Sequence, residues 1–291
     1  MDLTGCAQCR DRAAWWDLVV AMLLALFKMA LGLLTGSMAL QAHSLHSFGD
    51  FLTKGINLAS VKVSGREATA NFPYGYGKVQ FLSANFIGVS LMVGSLAMLW
   101  KNVTHLGSGH LLAPTIWAVP AALVSAATAE LMHRYLSHVA AHTNSPAIAA
   151  GAADNRGDAY SSLAVLAGIV LSILGWSSAD HLAAILVSLL VLRIGAMVAW
   201  DSIHGLLDGS VEEHQLEKIH AVVADQVPEL SILDLRGRRM GESWEVDLLL
   251  AIGGDATINQ THQFIQQLEQ AIRSQVRHAD HIRIRFAPNV P

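Results

Sequence analysis

His46-Ser47-Phe48-Gly49-Asp50 and Asp154-Asn155-Arg156-Gly157-Asp158 are two short polar clusters, each set inside an apolar stretch long enough to span a membrane. In helical geometry each cluster puts two metal-ligand side chains at i and i+4, one above the other on a single face. A carboxylate at mid-bilayer costs roughly 2.5 to 3.5 kcal/mol on insertion scales, so three of them with a histidine need a compensating partner. A divalent cation is the simplest partner. The competing reading is an ion pair within one helix, because Asp50 and Lys54 also stand at i and i+4, but it leaves Asp154 and Asp158 unexplained. Arg156 lies two residues from each of those aspartates and points away from their shared face. His43 falls on the same stripe as His46 and Asp50, where it reads equally as a proton relay, an extra ligand or a packing histidine.

Working outward, the composition is that of a membrane protein with a soluble appendage. Hydrophobic residues make up 53% of the 291 and charged residues only 14%, and the mean hydropathy is +0.41, too apolar for an ordinary soluble domain. Charges are sparse from Trp15 to Asp208 and frequent from Glu212 to Pro291. The net charge of −4 says little about partners, and no basic run points to nucleic acid. Cys6 and Cys9 form one Cys-x-x-Cys, open to reading as cytosolic thiols or as an accessory metal site. No signal peptide is expected, since the polar start contains acidic residues and no cleavage site follows.

Six spans are expected, each near the ~20 residues that cross a bilayer. They run from about Trp15 to Leu34, Met38 to Val61, Phe81 to Trp100, Leu112 to Tyr135, Ala147 to Leu174 and Ala179 to Trp200. Spans two and five carry the clusters and should face the bundle interior. Lysines and arginines gather before span one, between spans two and three, and at the end of span four, whereas the opposite loops hold only Lys101. Both termini are therefore expected on the cytoplasmic side. Residues 1–13 read as a cytoplasmic segment, 14–208 as a transport domain and 209–291 as a cytoplasmic domain.

The last part reads as α+β in the order αββαβ: a helix over Val211 to Val227, strands over Leu230 to Arg236 and Ser243 to Ile252, a helix over Thr257 to Val276 and a strand over His281 to Phe286. Arg238 to Glu242 is expected to be the turn between the first two strands. Such a sequence folds as a three-stranded sheet with two helices on one face, a ferredoxin-like, metallochaperone-like arrangement.

Together these features resemble the cation diffusion facilitator family over essentially the whole chain. The resemblance implies a V-shaped dimer with a divalent-metal transport site in each protomer, formed here by His46, Asp50, Asp154 and Asp158. Asp154 stands where zinc exporters of the family usually have a second histidine. The segment Phe72-Pro73-Tyr74-Gly75-Tyr76-Gly77-Lys78 resembles a family loop that binds metal through histidines, but Phe72 and Tyr76 replace them. Lys78 and Asp208 match the pair that forms a charge interlock in the family. Cys6-x-x-Cys9-Arg10, Trp15-Trp16, Asp154 to Asp158, Ser202 to Asp208 and Leu235-Arg236-Gly237-Arg238 are similar to the magnetosome-membrane branch. That branch implies ferrous iron as the cargo, a magnetosome or inner-membrane location, and a partner that is a second copy or a sister transporter. Family cytoplasmic domains often bind metal at the dimer interface. Here Trp244, Asp247, His262 and His281 are the candidates, with Asp247 and His262 the better placed, while Leu233, Arg285 and Ala287 replace usual histidines.

The expected function is export of Fe²⁺, with Mn²⁺ or Zn²⁺ as alternatives, by alternating access coupled to proton antiport. No cofactor is expected beyond the metal that is the substrate. A metal-responsive scaffold for vesicle assembly is the other reading, as is a general Zn²⁺/Mn²⁺ exporter. No His-Glu-x-x-His or Gly-x-Ser-x-Gly motif occurs, which argues against an enzyme.

Overall fold

A computed structural model describes residues 3–35, 38–105, 118–173, 179–253, 257–276 and 278–288. By its internal contacts the chain divides into two compact units, Met1–Ile203 and His204–Pro291.

The first unit is built from long helices: α1 (Leu3–Thr35), α2 (Met38–Ser64), α3 (Val79–His105), α4 (Ala118–Thr143), α5 (Pro146–Ile173) and α6 (Ala179–Leu206), whose last turn enters the second unit. α1 starts well ahead of the expected span, so Cys6 and Cys9 lie on a helix. Cys9 is free and exposed, and the side chain of Cys6 lies outside the described residues. Among the described residues, Val79–Trp100 and Ser188–Leu206 are the stretches long and apolar enough to cross a membrane.

Beside its apolar contacts, this unit exposes large apolar side chains and buries charged ones, unlike a water-soluble domain. Leu23, Leu33, Leu82, Val93, Leu131, Leu186 and Trp200 are exposed, whereas Asp17, Lys54, Asn57, Gln80, Asp154 and Asn155 are buried. An apolar outside over a polar inside is what a lipid environment selects. Small side chains let the helices approach closely, as membrane helices require in the absence of a hydrophobic drive between them. Ala13, Ala14, Ala147 and Ala152 pack with Leu136, Ile148 and Val61 where α1, α2, α4 and α5 meet. α3 and α6 touch backbone to backbone. A Cβ on Gly88 would stand 2.7 Å from the Ala199 nitrogen, and one on Gly195 2.8 Å from the Gly88 oxygen.

The turn from α4 to α5 is short and locally encoded. Asn144 takes a left-handed conformation (φ 54°) and ends α4. Ser145 Oγ accepts a 3.3 Å hydrogen bond from Ile148 N, and Pro146 opens α5, a position where its missing N–H costs nothing. That turn sets the register of the helix carrying Asp154 and Asp158.

The second unit contains α7 (Glu213–Gln226), β1 (Ser231–Met240), β2 (Ser243–Ile252), α8 (Ile258–Gln275) and β3 (His281–Pro288). The sheet order is β1-β2-β3, antiparallel between the first pair and parallel between the second. Trp244, Val246, Leu248 and Leu250 of β2 form one core with Ile219, Val222 and Val223 of α7 and Leu268 and Ile272 of α8. Both helices therefore cover a single face of the sheet. Thr257 caps α8 through a capping box with Gln260.

Two boundaries differ from expectation. β1 continues through Arg238 and Arg239 to Met240, which pairs with Ser243, so the turn is only Gly241-Glu242. Gly241 has φ +84°, which a two-residue hairpin with glycine first requires. Val211 does not begin α7. Its N–H donates 3.1 Å to the Gly237 carbonyl and its side chain is buried beside β1, so the helix begins at Glu213.

Substituting Gly88→Leu should destabilise the protein by at least the roughly 1–3 kcal/mol of overpacking, because backbone atoms must move. Gly55→Ala, at a position with nothing within 4 Å, should be neutral or slightly stabilising. Thermal unfolding of the detergent-solubilised proteins distinguishes the two.

Candidate metal transport site

The i, i+4 geometry expected of α5 holds, and it places Asp154 and Asp158 on the wall of a cavity of about 330 Å³. Asp50 and Thr53 of α2 line the same cavity, with Ser90, Ser95 and Met98 of α3, Ser161 of α5 and Ser188 of α6. The structure thus brings together three of the four transport-site carboxylate and imidazole positions read from the sequence. The fourth, His46, belongs to α2 by backbone, as does His43, and the side chains of both lie outside the described residues. Among the described residues, no three His, Cys, Asp or Glu side chains stand close enough to hold a metal ion. The described carboxylates are spread over the cavity wall.

Beneath the cavity lies a charge cluster. Lys54 Nζ donates a 2.9 Å hydrogen bond to Asp17 Oδ1 on α1 and stands 3.1 Å from Asp154 Oδ2 on α5. Asn155 Nδ2 donates to the same Asp17 oxygen at 2.9 Å and to the Gly151 carbonyl at 2.8 Å. Asp154 Oδ2 is buried and accepts no hydrogen bond, so Lys54 meets it by charge alone. The ion pairs of Lys54 with Asp17 and Asp154 run between helices and join α1, α2 and α5. Asp17 is the residue that the sequence reading passed over. It was visible as an acid within span one, and the rule that flags charges in spans two and five applies to it equally.

Arg156 leaves the shared face as expected. Nη1 stands 3.5 Å from Glu130 Oε2 on α4, Nε donates 2.9 Å to the Tyr160 hydroxyl, and the guanidinium lies 5.1 Å from that ring centre. In the loop before α3, the Phe72 and Tyr76 rings pack at a tilt of 42° with centres 4.8 Å apart, and Thr69 Oγ1 meets the Tyr76 hydroxyl at 3.1 Å. An aromatic pair occupies the positions at which the family loop carries its histidines.

In the second unit, Trp244 belongs to the core and packs against His278, ring centres 5.9 Å apart. Asp247 points from the opposite, helix-free face, with Arg283 Nη1 3.5 Å from a buried Oδ1 that accepts no hydrogen bond. His262 is exposed on α8, where its Nε2 stands 3.0 Å from Gln266 Nε2. Within one chain the structure does not bring Asp247 and His262 together, because the sheet separates their sides. His281 pairs with Glu245 in the β2–β3 register, on the face of Asp247. Glu245 is held there by Arg238 Nη2 at 2.6 Å and Arg283 Nη2 at 3.0 Å. The hydrogen bond to Glu245 raises the Arg238 guanidinium further above its already high ordinary range. Arg238 Nη1 also reaches Asp208 Oδ2 at 3.3 Å, within the second unit.

An apolar helical unit with carboxylates around an internal cavity, joined to a small mixed α/β unit, defines a membrane transporter for a cation. Residues 15–207 match the cation efflux transmembrane domain and residues 211–288 the cytoplasmic domain of cation efflux proteins. The chain is 70% identical to MamV of Paramagnetospirillum magneticum over 99% of its own length and 86% of that protein. It is 38% identical to the magnetosome protein MamB of the same organism over 99% and 97%. With the magnetosome protein MamM of Magnetospirillum gryphiswaldense it shares 29% identity over 98% and 90%. The chain belongs to the cation efflux, or cation diffusion facilitator, family: it is a divalent metal cation efflux transporter of the membrane, not an enzyme, with magnetosome proteins among its relatives.

Proposed function

We propose that the protein carries Fe²⁺ out of the cytoplasm into a magnetosome vesicle, with His46, Asp50, Asp154 and Asp158 as the transport ligands. The observation that carries this reading is that Asp50, Asp154 and Asp158 all line one cavity, together with several hydroxyls. Similarity to magnetosome proteins supports the vesicle, and the ligand set supports the metal. Three carboxylates and one imidazole form a harder site than two histidines and two aspartates, which favours Fe²⁺ and Mn²⁺ comparatively, although the Irving–Williams order still draws Zn²⁺ to such a site.

Transport proceeds by alternating access across six membrane helices, within a transport domain of residues 14–208, with residues 1–13 and 209–291 cytoplasmic. A hydrated ion enters from the cytoplasm, the four ligands replace its water, and rocking of the bundle opens the site to the other side. Because the ligands bind metal only when deprotonated, metal and protons exclude each other, which couples the cycle to proton antiport. The unit acts as a dimer, with a second copy or with a sister transporter of the MamM type. Lys78 and Asp208 interlock the two domains. Asp247 and His262 at the dimer interface hold a regulatory metal on the cytoplasmic domain, with Trp244 of β2 the weaker candidate because its ring packs into the core.

In proteoliposomes, Asp50→Ala and Asp158→Ala should each reduce metal flux to background while inserting normally, and wild-type flux in either would remove the site assignment. Asp154→His should raise zinc transport relative to ferrous iron under anaerobic conditions; an unchanged ratio would leave the iron preference without a ligand basis. Lys78→Asp should impair dimer stability, and combining it with Asp208→Lys should restore part of the loss, read as a coupling energy in a double-mutant cycle. A fragment of residues 210–291 should melt at a higher temperature with metal than without, by mass action, and lose that shift in Asp247→Ala with His262→Ala.

A further inference from the structure

The Lys54 side chain ends between two carboxylates that hold it unequally. Asp17 Oδ1 takes a hydrogen bond from Nζ at 2.9 Å and a second from Asn155, whereas Asp154 Oδ2, 3.1 Å away, takes none. Asp17, Lys54 and Asp154 are 2%, 4% and 8% exposed, so neither water nor lipid headgroups can neutralise them. Asp154 also lines the cavity that Asp50 and Asp158 line. One wall of the cavity is therefore a carboxylate whose charge is balanced by Lys54 through a buried oxygen that takes no hydrogen bond.

We infer that Lys54 is a tethered counter-cation of the transport site: its ammonium balances Asp154 in the metal-free protein and is displaced toward Asp17 when a divalent ion takes Asp154. This rests on the cavity being the transport site. No covalent bond forms and the ammonium stays charged throughout. The hydrogen bonds to Asp17 show which carboxylate is built to keep it. Selectivity follows from the charges. A monovalent cation would exchange one positive charge for another and compete against an ammonium that its own chain holds at high effective concentration. A divalent ion brings an additional charge into a low-dielectric site, where that difference is large. The same displacement weakens divalent binding, which favours release on the far side. Lys54 and Asp17 are then positioning residues. A purely structural clamp joining α1, α2 and α5 would alter stability and leave the ion dependence of transport untouched.

Zinc flux into proteoliposomes, measured against zinc concentration with and without competing K⁺, tests this. Lys54→Met combined with Asp17→Asn removes one charge of each sign, so the buried cluster keeps its net charge and the fold its balance. The double variant should show a several-fold lower KM for zinc, a lower maximal rate and inhibition by K⁺ that the wild type lacks. Asp17→Asn alone, which removes the carboxylate that draws the ammonium away from Asp154, should raise KM. A double variant with wild-type KM and no K⁺ inhibition would overturn the inference. Should it fail to insert, Lys54→Arg serves: its fork can hydrogen-bond both carboxylates at once, so KM must rise, and an unchanged KM overturns the inference equally. Asp158→Ala run beside them separates the two levels of argument, because wild-type flux in that variant removes the transport site itself and the role of Lys54 with it.

Discussion

Charge inside an apolar helical unit is the constraint on which the rest of this structure depends. Asp17, Lys54 and Asp154 are buried on three different helices, and Asp50 and Asp158 open onto the adjoining cavity. Uncompensated buried charges cost several kcal/mol each, of the order of the whole stability of a domain. The helices must therefore meet where the charges can answer one another. The Asp17–Lys54 hydrogen bond joins residues 37 apart in sequence, and Asn155 ties the same carboxylate to a helix 138 residues away. Packing among alanines in this region is compatible with many registers, whereas these polar contacts are compatible with few.

Close helix approach recurs at α3. α3 and α6 meet backbone to backbone at Gly88 and Gly195, where Asn85 Nδ2 also donates to Ser202 Oγ at 3.2 Å and to the Ala199 carbonyl at 3.4 Å. Serines recur on the cavity wall because a hydroxyl is small, satisfies itself on its own helix, and can still turn toward a ligand. Ser95, whose Oγ donates 3.0 Å to the Met92 carbonyl, does the first of these. A wall of hydroxyls around carboxylates offers an entering ion oxygen at every depth, without the strong second-site binding that histidine or cysteine would create.

The clusters on α2 and α5 were legible in the sequence because charge within an apolar stretch is rare and helical spacing fixes which residues share a face. The order αββαβ was legible for a related reason, since alternation through Trp244, Val246 and Leu248 separates core from surface in β2 without reference to partners. What escaped the reading was information held between elements. Asp17 has no partner at i±3 or i±4, and its partners on α2 and α5 are identified only once the helices are packed. The turn of the first hairpin was misplaced because Arg238 and Arg239 look like loop residues, whereas Arg238 is a strand residue whose charge is met across the strand by Glu245. Arg156 shows the opposite case: its direction followed from spacing alone, and only the identity of Glu130 had to come from packing.

Asp208 closes the end of α6 at the start of the second unit. It sits in a left-handed conformation (φ 59°) just past α6, and the next N–H, from Gly209, donates 2.7 Å to the His204 carbonyl, closing the helix end. Aspartate is among the non-glycine residues that enter this region most readily, and the helix end fixes the direction in which its Cβ leaves the chain. That direction already presents Oδ2 to Arg238, which is itself anchored on Glu245 of the sheet. Within the second unit, then, one sheet arginine answers both the carboxylate that ends α6 and the carboxylate of Glu245 on β2.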